Sequence, residues 1–142
     1  MDKARRKFLD LSSAMLVSAT LLKPCAAAQP DSESGEFLHG VASGDPLADQ
    51  VIIWTRITPA AQPSFIQVRF EVARDIDFLV PLQSGLVRAY PERDYTIKID
   101  LLGLQQNTIY YYRFSTPSAV SPVGRTRTLP TQSDAFTLAV FS

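Results

Sequence analysis

The 142-residue chain balances 14 Lys/Arg against 14 Asp/Glu and contains one His and one Cys. That length gives room for one domain. The neutral balance supplies no cationic surplus for nucleic acid, whose binding rests on phosphate neutralisation, and one imidazole with one thiol cannot furnish a binuclear metal centre.

The first 28 residues read as an export leader. Met1 to Lys7 is basic (Lys3, Arg5, Arg6, Lys7). Phe8 to Leu22 is an apolar run diluted by Asp10, Ser12, Ser13, Ser18 and Thr20, and Ala26-Ala27-Ala28 offers the small residues that a signal peptidase accepts. The run is too short and interrupted to span a bilayer, which takes about 20 apolar residues, so no stable membrane anchor is expected. Arg5-Arg6 with Phe8 and Leu9 resembles a twin-arginine signal, a receptor-read address for the twin-arginine translocase. Ala4 and Asp10 depart from that pattern, and an ordinary secretory signal is the alternative. Cleavage after Ala28, with Ala26 and Ala28 as the recognised small residues, leaves nine Lys/Arg against twelve Asp/Glu, a net of −3. It also removes Cys25, whose Lys23-Pro24 lead-in makes a poor lipoprotein site. The mature chain is expected in the periplasm or outside the cell, held by core packing without a disulfide.

Residues 29–35 form a polar lead-in with no apolar period. From residue 36 to 130 the period is two. Val51, Ile53, Thr55 and Ile57 alternate with Ile52, Trp54, Arg56 and Thr58; Ile66, Val68, Phe70 and Val72 alternate with Gln67, Arg69, Glu71 and Ala73. The same pattern recurs at Tyr95–Leu101 and Tyr110–Phe114, which argues for half-buried antiparallel strands. Weaker strands are expected at Phe37–Ala42, Leu86–Tyr90 and Gly124–Thr128, while Pro81 confines Phe78–Leu82 to an edge at most. About seven short strands without helical spacing predict an all-β fold, an immunoglobulin- or fibronectin III-like sandwich. Leu104, Thr108 and Tyr110 stand at the offsets of a tyrosine corner, where the phenol bonds back to upstream backbone. Residues 131–142 read as a linker followed by Ala135–Ser142, a nearly continuous apolar run like a strand buried on both faces of another domain's sheet.

Several segments together resemble the amino-terminal domain of PhoD-type alkaline phosphatases (phosphodiesterases). They are Phe37–Pro46, Val51–Arg56 with Thr58-Pro59, Phe70–Asp75 with Phe78, Asp94–Lys98, Gly103-Leu104, Tyr110–Phe114 and Ser121–Pro130. The resemblance implies an Ig-like domain ahead of a calcineurin-like phosphoesterase domain that uses iron and calcium to hydrolyse phosphate esters. That domain would begin with a strand ending in Ser-Cys, the Cys a metal ligand. The sequence reaches Ser142, so the resemblance places the catalytic and metal residues outside this chain.

The candidate chemistry within it is thin. His39 is expected at a strand edge or turn. Asp75-Ile76-Asp77 lacks the Gly and distal Glu that complete a calcium loop, and Ser43 lacks the strand–turn–helix setting of a nucleophile elbow. Asp45 is expected to shape the turn before Pro46. Trp54 is expected in the core, whereas Tyr111 is the expected exposed aromatic and contact for a neighbouring domain. Arg125 and Arg127 share one face and are expected to guard an edge strand. No catalytic or metal residue, and no cofactor, is assigned to the chain itself. The expected function is that of the amino-terminal part of an exported PhoD-like phosphatase, inactive alone, which supports or shields the catalytic domain. A standalone periplasmic fibronectin-type binding module is the alternative, and a non-functional remnant a third.

Overall fold

A computed structural model describes residues 34–132. The leader at 1–28, most of the lead-in, and the apolar run at 135–142 lie outside the described residues. Nine strands follow in chain order: β1 (Gly35–Glu36), β2 (Val41–Gly44), β3 (Val51–Arg56), β4 (Thr58–Pro59), β5 (Ile66–Ala73), β6 (Gln83–Ala89), β7 (Thr96–Leu101), β8 (Ile109–Ser115) and β9 (Gly124–Arg127). The only helix among the described residues is one 3₁₀ turn at Pro91–Arg93. All pairings are antiparallel, in sheets of order β2-β3-β7 and β6-β5-β8-β9, with β1 and β4 forming a separate short pair.

Alternation explains the layering. Along β3, Val51, Ile53 and Thr55 are buried, and they meet Ile66, Val68 and Val72 of β5 and Tyr110, Tyr112 and Phe114 of β8 in one core. Side chains of period two can do this only if two sheets stack face to face. The fold is thus an all-β sandwich, three strands on four. Thr55 is the polar exception inside, and its hydroxyl donates to the Gly40 carbonyl at 2.7 Å.

Three sequence expectations need correction. Trp54 is not core: it is 40% exposed on the outward face of β3, opposite Ala42 and Lys98. Trp54 shares its face with Arg56, opposite to buried Val51, Ile53, Thr55 and Ile57, so the alternation of the strand itself turns it outward. The first long strand occupies Val41–Gly44 rather than Phe37–Ala42, because residues 38–40 turn and Gly40 takes a φ of 69°. Residues 78–82 form no strand. Phe78 has a φ of 55°, outside the extended region, and its buried ring lies under Arg113 with the guanidinium 4.2 Å from the ring centroid.

Both rims of the four-stranded sheet are built the same way. Gly85 on β6 pairs with Phe70, and Gly124 on β9 pairs with Tyr112. A Cβ on Gly85 would come within 2.6 Å of the Phe70 ring, and one on Gly124 would enter the Tyr112 ring. Each aromatic therefore lies across a bare backbone, the device by which aromatic residues cover edge glycines.

Candidate functional site

Strand directions gather the loops into two ends. β2 finishes, β3 starts, β5 and β7 finish, β6 and β8 start and β9 finishes at one end. The loops there are 45–50, 74–82 and 102–108, and the described chain leaves from it after Leu129; it is called the exit end below. Backbone bonds knit these loops: Leu129 N–H to Leu47 O at 2.9 Å, Leu104 N–H to Asp49 O at 2.8 Å, and Asn107 N–H to Leu129 O at 3.1 Å. Gln83 Nε2 donates to Leu102 O at 2.7 Å.

The corner residues lie here. The Tyr110 hydroxyl, fully buried, accepts the Gln105 N–H at 2.8 Å. Leu104 is buried in the core, and Thr108 donates its hydroxyl to Gln106 O at 2.8 Å. A partner that sequence reasoning did not single out completes the corner: Thr128 Oγ1 accepts Thr108 N–H at 3.0 Å and donates to Gln105 O at 2.6 Å. A loop crossing between sheets must satisfy such groups from within, and a Thr closing the last strand was the available signal. Burial pushes the Tyr112 phenol up from its ordinary value, partly offset by a hydrogen bond with Ser43.

The exit end exposes aliphatic side chains among polar ones such as Asp45, Asp77, Gln105 and Gln106. Leu79 and Val80 are 80% and 78% exposed, and Leu47, Leu82, Leu102 and Leu129 are also exposed. The sequence signal was Leu79-Val80-Pro81-Leu82, apolar but without period.

The opposite end carries an ionic network, although Leu38, Tyr90 and Val120 are exposed there too. Arg56 Nε donates to Asp94 Oδ2 at 2.7 Å and Nη2 to Oδ1 at 3.0 Å, and Arg56 Nη1 also faces His39 Nε2. The hydrogen bond to Asp94, aided by its charge, raises the guanidinium value, and the same bond holds the Asp94 carboxyl below its ordinary range. All three side chains are solvated, and an imidazole held against a guanidinium is no metal site. Among the described residues no group of three or more His, Cys, Asp or Glu could hold a metal ion.

The remaining candidates are scattered. Tyr111 is half-buried, not exposed, because β8 is an inner strand and Tyr111 lies between Ala73 and Arg125 of its neighbours. The exposed aromatics are Trp54 and Tyr90. Arg125 and Arg127 are exposed on edge strand β9, and Arg127 donates to Asn107 Oδ1 at 2.6 Å. Asp75 Oδ1 accepts Leu79 N–H at 2.9 Å within a turn, and Asp45 takes a φ of 47° before Pro46. A shallow cleft of about 550 Å³ opens between β6 and β7, edged by Arg88, Arg93, Lys98 and Glu92. Its Arg88 is drawn off onto the Phe65 ring, 4.6 Å from the centroid. No helix of the described residues is long and apolar enough to cross a membrane.

Comparison with known proteins accords with this inventory. The family described as "PhoD-like phosphatase, N-terminal domain" matches residues 24–130. "Alkaline phosphatase D" of Bacillus subtilis (strain 168) is 36% identical over 139 residues, which make up 89% of this chain but only 24% of that protein. The solved structure of PhoD superposes with a TM-score of 0.64 at 40% identity, covering 74% of this chain and 21% of that one. A fibronectin type III domain derived from human KIAA0970 protein gives a TM-score of 0.48 at 14% identity, over 72% of this chain and 80% of that one.

Proposed function

We propose a function from one premise: this chain belongs to the PhoD-like phosphatase N-terminal domain family. On that reading it is the non-catalytic amino-terminal part of an exported phosphate mono- or diester hydrolase, which supports or shields a catalytic domain that the chain does not cover. The observation that carries the reading is the family match over residues 24–130, beside a relative 36% identical over 139 residues of which the chain spans 24%. The side-chain inventory supports it, since a binuclear phosphoesterase needs several convergent ligands to generate its hydroxide and the described residues bring none together. The iron and calcium implied by the resemblance then belong to the catalytic part. Residues 131–142 carry the chain toward that part, and Tyr111 contributes to the contact between the two.

Incubating the purified chain with a nitrophenyl phosphate ester, calcium and iron is the direct test. The expected result is no turnover above buffer, and metal-dependent hydrolysis overturns the reading. Export is the second element of the proposal. Residues 1–28 act as a leader read by the twin-arginine translocase through Arg5, Arg6, Phe8 and Leu9, cut beside Ala26 and Ala28, which delivers the chain to the periplasm or beyond. Fused to a folded reporter, the leader is expected to export it, and Arg5→Lys with Arg6→Lys is expected to abolish export. Unchanged export in that variant points to an ordinary secretory signal instead.

A further inference from the structure

The neutral overall balance hides an uneven placement of charge. Three shallow hollows of about 550, 500 and 330 Å³ lie side by side: the first two share Arg88 and Tyr90, and the last two share Gln67 and Leu86. Together they make one trough that crosses the strands. It runs from Lys98 on β7 over Arg88 on edge strand β6 to Arg69 on inner strand β5, with Arg93 of the 3₁₀ turn at its start. All four cations are exposed, and one acidic residue, Glu92, stands among them. Both ion pairs of the described residues, Arg56–Asp94 and Arg113–Glu71, lie elsewhere, so none of the four has a carboxylate partner. Tyr90 and Leu86, 40% and 59% exposed, stand between them. Guarding a sheet edge explains cations on β6 and β7, but not Arg69, which stands one strand inside.

From this we infer that the trough binds a linear acidic glycan, its carboxylates meeting the four cations and its sugar rings lying on Tyr90 and Leu86. Arg88 stands opposite Gln67, so Arg69 is its diagonal neighbour, about 7–8 Å away between backbones. Along the trough, charge alternates with apolar surface: Arg93 and Lys98, then Tyr90, Arg88, Leu86 and Arg69. A polymer that alternates an anion with the C–H face of a sugar matches that order. Guanidinium groups engage carboxylates bidentately. Arg88 is already held, its guanidinium 4.6 Å from the Phe65 ring centroid, so it loses less freedom on binding. The direction of the trough excludes an added β-strand, which would run along the β6 edge instead of across it. One exposed ring does not suit single-stranded nucleic acid, which is held by stacking successive bases. The inference goes beyond the phosphatase reading and does not depend on it.

Fluorescently labelled hexagalacturonate, titrated into the purified chain at physiological ionic strength, tests this by anisotropy. The acid form is expected to bind, and the fully methyl-esterified form, which lacks the carboxylates, is expected not to. Arg69→Gln with Arg88→Gln is expected to weaken binding about tenfold, through loss of two charge-assisted contacts. Arg125→Gln with Arg127→Gln removes the same charge from β9 and is expected to leave binding nearly unchanged, because distant charges are screened. Tyr90→Ser is expected to weaken binding without altering its salt dependence, since it removes a ring and no charge. Amide shifts in the unsubstituted chain need no variant, and on adding the glycan they are expected at 67–69, 86–90 and 96–98. Absence of binding, equal loss in the two double variants, or shifts confined to other strands each overturns the inference. Tighter binding of polyglutamate, polyphosphate or oligothymidylate than of hexagalacturonate also overturns it, in favour of an acidic peptide or a phosphate polymer.

Discussion

The two ends of the sandwich solve one problem by overlapping means. At the exit end part-buried backbone groups are satisfied by the Tyr110 phenol and the Thr128 hydroxyl, and Leu79 and Val80 stand exposed among polar neighbours. At the opposite end Ser121 and Thr116 hydroxyls likewise accept backbone N–H groups, from Phe114 at 2.9 Å and Ala119 at 3.1 Å, and a solvated network of Arg56 with Asp94 and His39 is added beside two consecutive residues with positive φ, Asp94 at 51° and Tyr95 at 50°. There the Tyr95 hydroxyl donates to Pro63 O at 2.7 Å and its carbonyl accepts Ile57 N–H at 3.2 Å, which holds an aromatic residue in a region it seldom visits. The contrast teaches that loop stability and loop surface are separate choices. Both ends are finished by hydroxyl–backbone bonds and both expose apolar side chains, Leu79 and Val80 at one and Leu38 and Val120 at the other; the opposite end adds a solvated ion pair.

Substitutions that strip each end's own bonding sharpen this contrast, and the largest effect is expected at the exit end. Thr128→Val keeps the side-chain shape but leaves the Gln105 carbonyl and Thr108 N–H without this partner. It is expected to lower stability by about 2 kcal/mol or more, since each buried group left unsatisfied costs about 1–3 kcal/mol, read by urea unfolding. Tyr110→Phe removes one partner, the acceptor of Gln105 N–H, and is expected to cost about 1 kcal/mol or more by the same measurement. At the opposite end Tyr95→Phe removes a part-buried bond to Pro63 O, with an expected loss of about 0.5–1.5 kcal/mol. A larger loss there than for Thr128→Val would break the contrast.

The smallest effect is expected from Asp94→Asn, because its ion pair with Arg56 is solvated. Its pH dependence is nevertheless defined. The Asp94 carboxyl is lowered in the folded chain, so its contribution is present above the ordinary carboxylate range and is lost as pH falls through the folded value. Thermal melts of the wild type and Asp94→Asn should therefore converge in acid and in high salt. A gap that persists below the carboxylate range would show that the carboxamide disturbs packing instead.

Much of the architecture was legible because alternation is a local signal. The run Ile66–Ala73 places apolar and polar residues on opposite faces so regularly that its strand bounds coincide with those observed. Trp54 was misplaced because four apolar residues in succession hide the parity, which Arg56 on the Trp54 face and buried Ile57 on the other reveal. Tyr111 was misjudged for a related reason. Alternation gives the face of a residue but not the number of neighbouring strands that shade it, which depends on the sheet order β6-β5-β8-β9. The exposed aliphatic residues of the exit end were not legible as a group, since Leu47, Leu79, Leu102 and Leu129 are far apart in sequence and only topology brings them to one end. The Arg113 stack on Phe78 likewise depends on a turn whose φ no periodicity announces.

The paired ring-over-glycine arrangement at both rims has an evolutionary and practical corollary. Positions 85 and 124 stand on outer strands, where substitution is ordinarily tolerated, yet any methyl group there must evict a ring from the interior. These margins of the sandwich consequently tolerate little, and random mutagenesis should recover replacements at 85 or 124 chiefly alongside a smaller residue at Phe70 or Tyr112.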